Sequence, residues 1–295
     1  MCSPCGKPLA KKDEEKPDPM TSLTSGFQAH HPDSAPIDIR SVTVLFNGHR
    51  ALDDITLEIP SGERIAVVGP NGAGKTTLFR LIAGTLEPSS GKVNVYGHGP
   101  SGHVCIAYVP QRSQVDWKFP ATVREVVMMG RIRKIGLFRW PSREDWRFVN
   151  DALVRVRMDA LADRQIGELS GGQQQRTFLA QAIAQEAEVV LLDEPLTGLD
   201  LPSQETIFQM LDLLNEEGVT VLIATHDLNL AAERFDQVIL LKQRIIAFGP
   251  PKDALTQAAL VEAYGGHVHR IDQEGGLLVV TDTCCEGDEG LPASG

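Results

Sequence analysis

The sequence predicts an α/β fold, a mostly parallel sheet with helices packed on it, and three observations carry that prediction. Ile65-Ala-Val-Val68, Val189-Val-Leu-Leu192 and Thr220-Val-Leu-Ile-Ala224 are short and apolar, the pattern of strands buried on both faces of a parallel sheet. The first runs into a glycine-rich loop and then a helical stretch bearing Leu78, Phe79, Leu81, Ile82 and Leu86. From Thr122 to about Gln185 the apolar spacing becomes helical, so a helical block is inserted between the strands.

The remaining elements follow in chain order. Residues 1–36 are rich in Pro, Ser, Lys and Asp without apolar periodicity and are expected to form a disordered tail. Ile37, Ile39, Val42, Val44, Leu57 and Ile59 read as short β runs around an Asn47-Gly48 turn. Gly91–Tyr96 and Val104–Val109 add two strands. Inside the helical block, Ser142 and Asp145 match a helix N-cap box, followed by Trp146, Val149, Leu153 and Val156 at helical spacing. Val238–Leu241 and Ile245–Phe248 read as a hairpin. Beyond Ile271 the chain carries six carboxylates (Asp272, Glu274, Asp282, Glu286, Asp288 and Glu289) and no Lys or Arg, so 272–295 is expected to be an acidic, flexible tail.

With 295 residues, 42% apolar and 23% charged, the chain has room for one large α/β domain. No apolar run reaches the roughly 20 residues that span a bilayer. Charge is dense between Lys7 and Lys16, where a signal peptide would be apolar, and Cys2 stands where myristoylation needs glycine. Five cysteines suit a reducing compartment. The expectation is a cytoplasmic protein that meets any membrane through a partner. A net charge of −11 argues against nucleic acid as the main ligand, because phosphate backbones need clustered positive charge.

Three motifs carry chemistry. Gly69-Pro70-Asn71-Gly72-Ala73-Gly74-Lys75-Thr76-Thr77 fits the phosphate-loop pattern. Its glycines let backbone N–H groups converge on an anion at a helix N-terminus, Lys75 can reach the β- and γ-phosphates, and Thr76 can ligate Mg²⁺. Val189–Leu192 ends in Asp193-Glu194-Pro195, one carboxylate for Mg²⁺ and a second to polarise a water. Leu169-Ser170-Gly171-Gly172-Gln173 opens a further helix with a second phosphate-type N-terminus, for which a chain with one phosphate loop has no obvious local use.

Together these residues resemble the ATP-binding-cassette (ABC) family from about Ile37 to Ile271. Gly69–Thr77 is similar to its Walker A loop, Leu169–Arg176 to its signature and Val189–Pro195 to Walker B. Gln111 sits at the glutamine-loop position, Gly198-Leu199-Asp200 resembles the D-loop, and His226 resembles the switch histidine. The resemblance implies a P-loop NTPase core with an antiparallel β subdomain and a helical subdomain inserted at about 112–185. It also implies that ATP is sandwiched between one Walker A loop and Ser170, Gly171 and Gly172 of a second copy. In that scheme Glu194 positions water, and Lys75 and His226 contact the γ-phosphate. Thr76, Gln111 and Asp193 organise Mg²⁺, and Asp200 couples the two sites. Phe46 stands where the family stacks an aromatic on adenine; a core Phe on a β-strand is the alternative.

Resemblance reaches further, to importers of manganese, zinc or iron, through Val115-Asp116-Trp117, Phe119-Pro120, Met128–Arg131, Gly136–Ser142 and Tyr264–His269; siderophore and cobalamin importers are near relatives. It implies an integral membrane permease docked on the segment after Gln111, at the cytoplasmic face, fed by a solute-binding protein. Trp117 and Phe119 are either anchors of that interface or fillers of the helical core. His267 and His269 are expected to be structural or solvated rather than metal ligands, since the cargo crosses through the permease. Cys2, Cys5, Cys284 and Cys285 lie in tails without a scaffold for a metal site. A cassette acting on nucleic acid would carry long coiled-coil insertions, which this sequence lacks.

Overall fold

The computed structural model describes residues 36–100, 105–136, 139–265, 268–273 and 276–281. Strand β1 (Ile37–Phe46) turns at Asn47 and Gly48, both at positive φ, into β2 (His49–Ile59), and the two pair antiparallel from Ile37 opposite Ile59 to Phe46 opposite His49. Asn-Gly accepts the left-handed backbone such a tight turn demands. Strand β3 (Arg64–Val68) leads through the glycine-rich loop into α1 (Lys75–Ile82). Strand β4 (Ser90–Val95) then joins the free edge of β1, closing a three-stranded antiparallel sheet in the order β2-β1-β4.

Strand β5 (Ile106–Val109) precedes the helical insertion, which holds α2 (Val123–Met129), α3 (Ile132–Ile135), α4 (Arg143–Arg155) and α5 (Gly171–Gln185). The predicted cap is present: Ser142 Oγ accepts from the Asp145 N–H at 3.2 Å, and Asp145 accepts from the Ser142 N–H at 2.9 Å. Next come β6 (Val189–Asp193), α6 (Leu201–Glu216), β7 (Thr220–Thr225), α7 (Leu228–Arg234), β8 (Gln237–Lys242) and β9 (Arg244–Gly249). The main sheet runs β5-β6-β7-β3-β8-β9, parallel except for the β8–β9 hairpin.

Helices α8 (Pro251–Ala254) and α9 (Gln257–Tyr264) follow, and then β10 (Val268–Gln273) and β11 (Gly276–Thr281). This last pair occupies 268–273 and 276–281, part of the stretch that the sequence reading expects to be a flexible tail from 272. The two strands pair antiparallel with Asp272 opposite Leu277, and β11 lies along α7. The physical reason is the apolar run Leu277-Leu-Val-Val280 behind Gly275-Gly276, a strand-and-turn signal outweighed in the sequence reading by the carboxylates around it.

The apolar strands alternate between two cores. Ile65, Val67, Leu191, Leu222 and Ile239 pack with Leu78, Phe79 and the antiparallel sheet; Val68, Val190, Leu192, Val221, Ile223 and Leu240 pack with the helices on the other face. Burial of each such side chain contributes about 1.5–3 kcal/mol. The insertion shares the second core through Val127, Val149, Leu153 and Met158, and among the described residues Ala121, Val126 and Ile166 form a small satellite. Arg131, buried, ties the insertion to the approach to β6: it bonds Asp145 at 3.2 Å, Glu186 at 2.5 Å and the Ala184 carbonyl at 3.0 Å, and lies 4.1 Å from the Phe148 ring centre. Among the described residues, no helix is long and apolar enough to cross a membrane.

Candidate active site

The sheet brings separate motifs to one edge. Val109, Leu192, Ile223 and Val68 lie near the ends of β5, β6, β7 and β3, which are adjacent and parallel: Val109 is opposite Leu192, Leu192 opposite Ile223, and Val68 opposite Thr225. Gln111, Asp193-Glu194, His226 and the phosphate loop therefore all leave the sheet at its carboxyl edge, where open α/β sheets bind ligands.

The loop is shaped by what its glycines exclude. A Cβ on Gly69 would lie 2.1 Å from the Leu241 carbonyl oxygen, and one on Gly74, at φ +100°, would lie 2.6 Å from that of Ala51. Between them Asn71 and Gly72 are exposed, and Ala73 is buried. Gly74 caps α1 without a side-chain acceptor, so the first-turn N–H groups are left for an anion. Lys75 is 7% exposed, and its ammonium donates to the carbonyls of Gly69 at 2.7 Å and Pro70 at 3.3 Å. Burial lowers its pKa, opposed by the negative charges of Glu194 and Asp193.

Asp193 is 2% exposed, and burial pushes its pKa up, with the Thr76 hydroxyl acting in the opposite sense. Its Oδ2 is buried without a hydrogen-bond partner. An orphaned carboxylate oxygen next to a threonine hydroxyl fits a hard cation, which takes oxygen ligands. Glu194 has φ +50°, uncommon for a residue with a side chain, and its N–H donates to the Ala224 carbonyl at 3.0 Å. Gln111 Nε2 donates to Glu194 Oε2 at 3.0 Å, so these two predicted residues meet directly. His226 is exposed at the end of β7, just before Asp227, which caps α7 by accepting from the Leu230 N–H at 2.9 Å.

Ser170 caps α5 through a reciprocal box with Gln173. A Cβ on Gly172 would lie 2.8 Å from Ser203 Oγ, and one on Gly171 would lie 3.1 Å from Leu199 and 3.2 Å from Arg112. The glycines of the phosphate loop instead abut β2 and β8. Asp200 caps α6, accepting from the Ser203 N–H at 3.2 Å, and the Ser203 hydroxyl first, then that N–H, lower its pKa. Phe46 is 45% exposed, which sets aside the core-filling alternative. Trp117 and Phe119 divide: Trp117 packs in the satellite core against Phe178 and donates to the Arg112 carbonyl at 2.9 Å, whereas Phe119 is 56% exposed.

Sequence reasoning missed Tyr108, whose buried hydroxyl lies against Asp193. It also missed Arg112, which donates to Gln174 Oε1 at 3.1 Å; Gln174 is 3% exposed and donates to the Ile166 carbonyl at 3.1 Å. A phenol placed in a strand before Gln111 was a usable signal for the first. Nothing local separates Gln174 from its glutamine neighbours. Cys2, Cys5, Cys284, Cys285 and His267 lie outside the described residues, as does the side chain of His269.

Residues 52–197 match the ABC transporter family. The chain is 45% identical over 245 residues to the chelated iron transport system membrane protein YfeB of Yersinia pestis, covering 81% of this chain and 82% of the relative. It is 43% identical over 234 residues to the manganese transport system ATP-binding protein MntB of Bacillus subtilis, covering 79% and 94%. The chain belongs to the ABC transporter family. Among solved structures, a metal-chelate type ABC transporter in an inward-facing conformation aligns with a TM-score of 0.71 at 29% identity, over 83% of this chain and 95% of that one. The chain is thus a nucleotide-binding ABC cassette and an ATPase, with the cassette fold its sequence predicts.

Proposed function

We propose that this cassette hydrolyses MgATP between two copies of itself to power import of a transition-metal ion through an integral membrane permease. The observation that carries the proposal is the convergence of Lys75, Asp193, Glu194 and Gln111 at one sheet edge, with the unpaired Asp193 oxygen at its centre. Thr76, Gln111 and Asp193 would hold Mg²⁺, which when bound supplies neutralising charge to the phosphate oxygens. Gly69–Thr77 grips the β- and γ-phosphates through backbone N–H groups and the Lys75 ammonium. Phe46 offers its exposed ring to adenine. Glu194, oriented by Gln111, accepts a proton from the attacking water, and His226 donates to the γ-phosphate. Catalysis is then mainly positioning and charge stabilisation.

The second copy enters through Ser170, Gly171 and Gly172. This helix N-terminus is capped within its own chain by Ser170 and Gln173, and Ser203, whose N–H donates to Asp200, lies against Gly172. The permease reading is supported by exposed Phe119, Ile132 and Trp140 along the segment after Gln111. It places the cassette at the cytoplasmic face of the membrane, with a solute-binding protein delivering cargo and no nucleic acid partner. The names of the iron and manganese relatives support a metal cargo. A siderophore or cobalamin importer is the second reading, favoured by the metal-chelate type neighbour at lower identity.

The chemical assignment is tested with Glu194→Gln. ATP binding is expected to persist, an ATP-bound dimer to accumulate on size-exclusion chromatography, and turnover to fall by about 10²–10⁴. Parental turnover would remove Glu194 from its role. Cargo is tested by ATPase activity of the whole complex in liposomes. Stimulation by a manganese- or zinc-loaded binding protein is expected; stimulation only by a siderophore- or cobalamin-loaded one selects the second reading.

A further inference from the structure

Tyr108 is a partly buried side chain with a buried hydroxyl that none of the roles above uses. It sits on β5, three residues before Gln111, opposite Leu191 in the parallel register of β5 and β6. Side chains two apart on a strand share a face, so Tyr108, Leu191 and Asp193 all point toward α1, and the diagonal from Tyr108 to Asp193 is within reach of an aromatic side chain. The ring packs against the core beneath α1 that includes Leu78, Leu191 and Ala224. Its hydroxyl reaches the Asp193 carboxylate without closing a hydrogen bond. Tyr108 Oη and Asp193 Oδ2 are each buried, and neither has a hydrogen-bond partner.

A phenol hydroxyl can donate to an ionised carboxylate. Asp193 Oδ2 is buried and lacks a hydrogen-bond donor, and Tyr108 is placed to supply one. Thr76 approaches from α1, leaving Tyr108 to approach from the edge strand β5. We infer that Tyr108 is a positioning residue for the metal site: its hydroxyl hydrogen-bonds ionised Asp193, fixing the rotamer in which the carboxylate faces the cation of the bound nucleotide. The arrangement has the logic of an outer-shell partner that orients a metal ligand without touching the metal. It also joins two motifs mechanically, because the strand that carries Tyr108 delivers Gln111 to Glu194.

This inference rests on the reading of Thr76 and Asp193 as the Mg²⁺ ligands, and the experiment separates the two. The full chain and its Tyr108→Phe variant, which removes one oxygen and keeps the ring packed, are compared by calorimetry. A non-hydrolysable ATP analogue is titrated first in chelator and then at stepped Mg²⁺. Mn²⁺ binding to the analogue-loaded subunit is read by electron paramagnetic resonance. Tyr96→Phe is the control for loss of a buried phenol, because Tyr96 lies beside Glu188, at the far end of β6 from Asp193. In Tyr108→Phe, the metal affinity is expected to weaken by about tenfold, the scale of outer-shell losses. Metal-free nucleotide affinity and melting temperature should match the parent, and Tyr96→Phe should bind metal normally. Unchanged metal affinity in Tyr108→Phe overturns the inference, as does an equal loss in Tyr96→Phe or a parallel loss of metal-free binding. If the parent itself gains no nucleotide affinity from metal, the ligand assignment fails and the inference with it.

Discussion

Two helix N-termini of this chain, at the phosphate loop and at the signature turn, are made differently. At the phosphate loop, Gly69 and Gly74 are wedged against the Leu241 and Ala51 carbonyls, a lysine is buried, and the helix start carries no side-chain cap. At the signature turn, Ser170 caps its own helix, Gln173 returns the bond, and Ser170 is exposed. The first is a site left unsatisfied in its own chain, which an anion completes. The second is self-satisfied and stable without a ligand. A helix start that needs nothing from its own chain is suited to be offered to another, and that contrast supports ATP being shared between copies.

Substitutions can break this contrast, the largest effect first. Gly69→Ala puts a methyl group inside contact distance of the Leu241 backbone, which cannot yield without moving β8. It should destabilise the chain by about 3 kcal/mol and abolish nucleotide binding by the isolated subunit, read by thermal melting and calorimetry. Normal binding would mean the loop is not held by β8. Ser170→Arg should leave ATP binding to the isolated subunit near the parental value while hydrolysis falls to background. A large loss of affinity in the monomer would place the signature turn in its own chain's site. The smallest effect is expected at Asp200, which serves both as the α6 cap and, by the proposal, as a link between the two sites. Asp200→Ala removes the N-cap and should lower the melting temperature by about 2–4 °C. If that were its whole role, Asp200→Asn, which keeps a capping oxygen, would hydrolyse ATP like the parent. A drop in turnover without a drop in melting temperature would instead support coupling.

Much of this molecule was legible before its folding was considered, because the informative signals are local. An apolar run of four residues ending in glycine marks a buried strand, and a lysine-threonine pair behind it marks a phosphate loop, wherever the chain later goes. The Ser142–Asp145 cap likewise needs only its own four residues. Tertiary packing settled questions whose partners are far apart in the chain. It left Phe46 exposed at the end of β1, turned Trp117 inward and Phe119 outward, and merged the helical insertion with the core of the sheet. It also set Tyr108 under Asp193, and made a paired ribbon of a segment that looked like an acidic tail. The reason is that hydrophobic periodicity tells how a segment is apolar but not which surface it meets. Burial of a single polar atom depends on neighbours contributed by other strands and helices. Composition can show that Asp193 is a carboxylate at a strand end, but only the packed sheet and α1 deny one of its oxygens a partner.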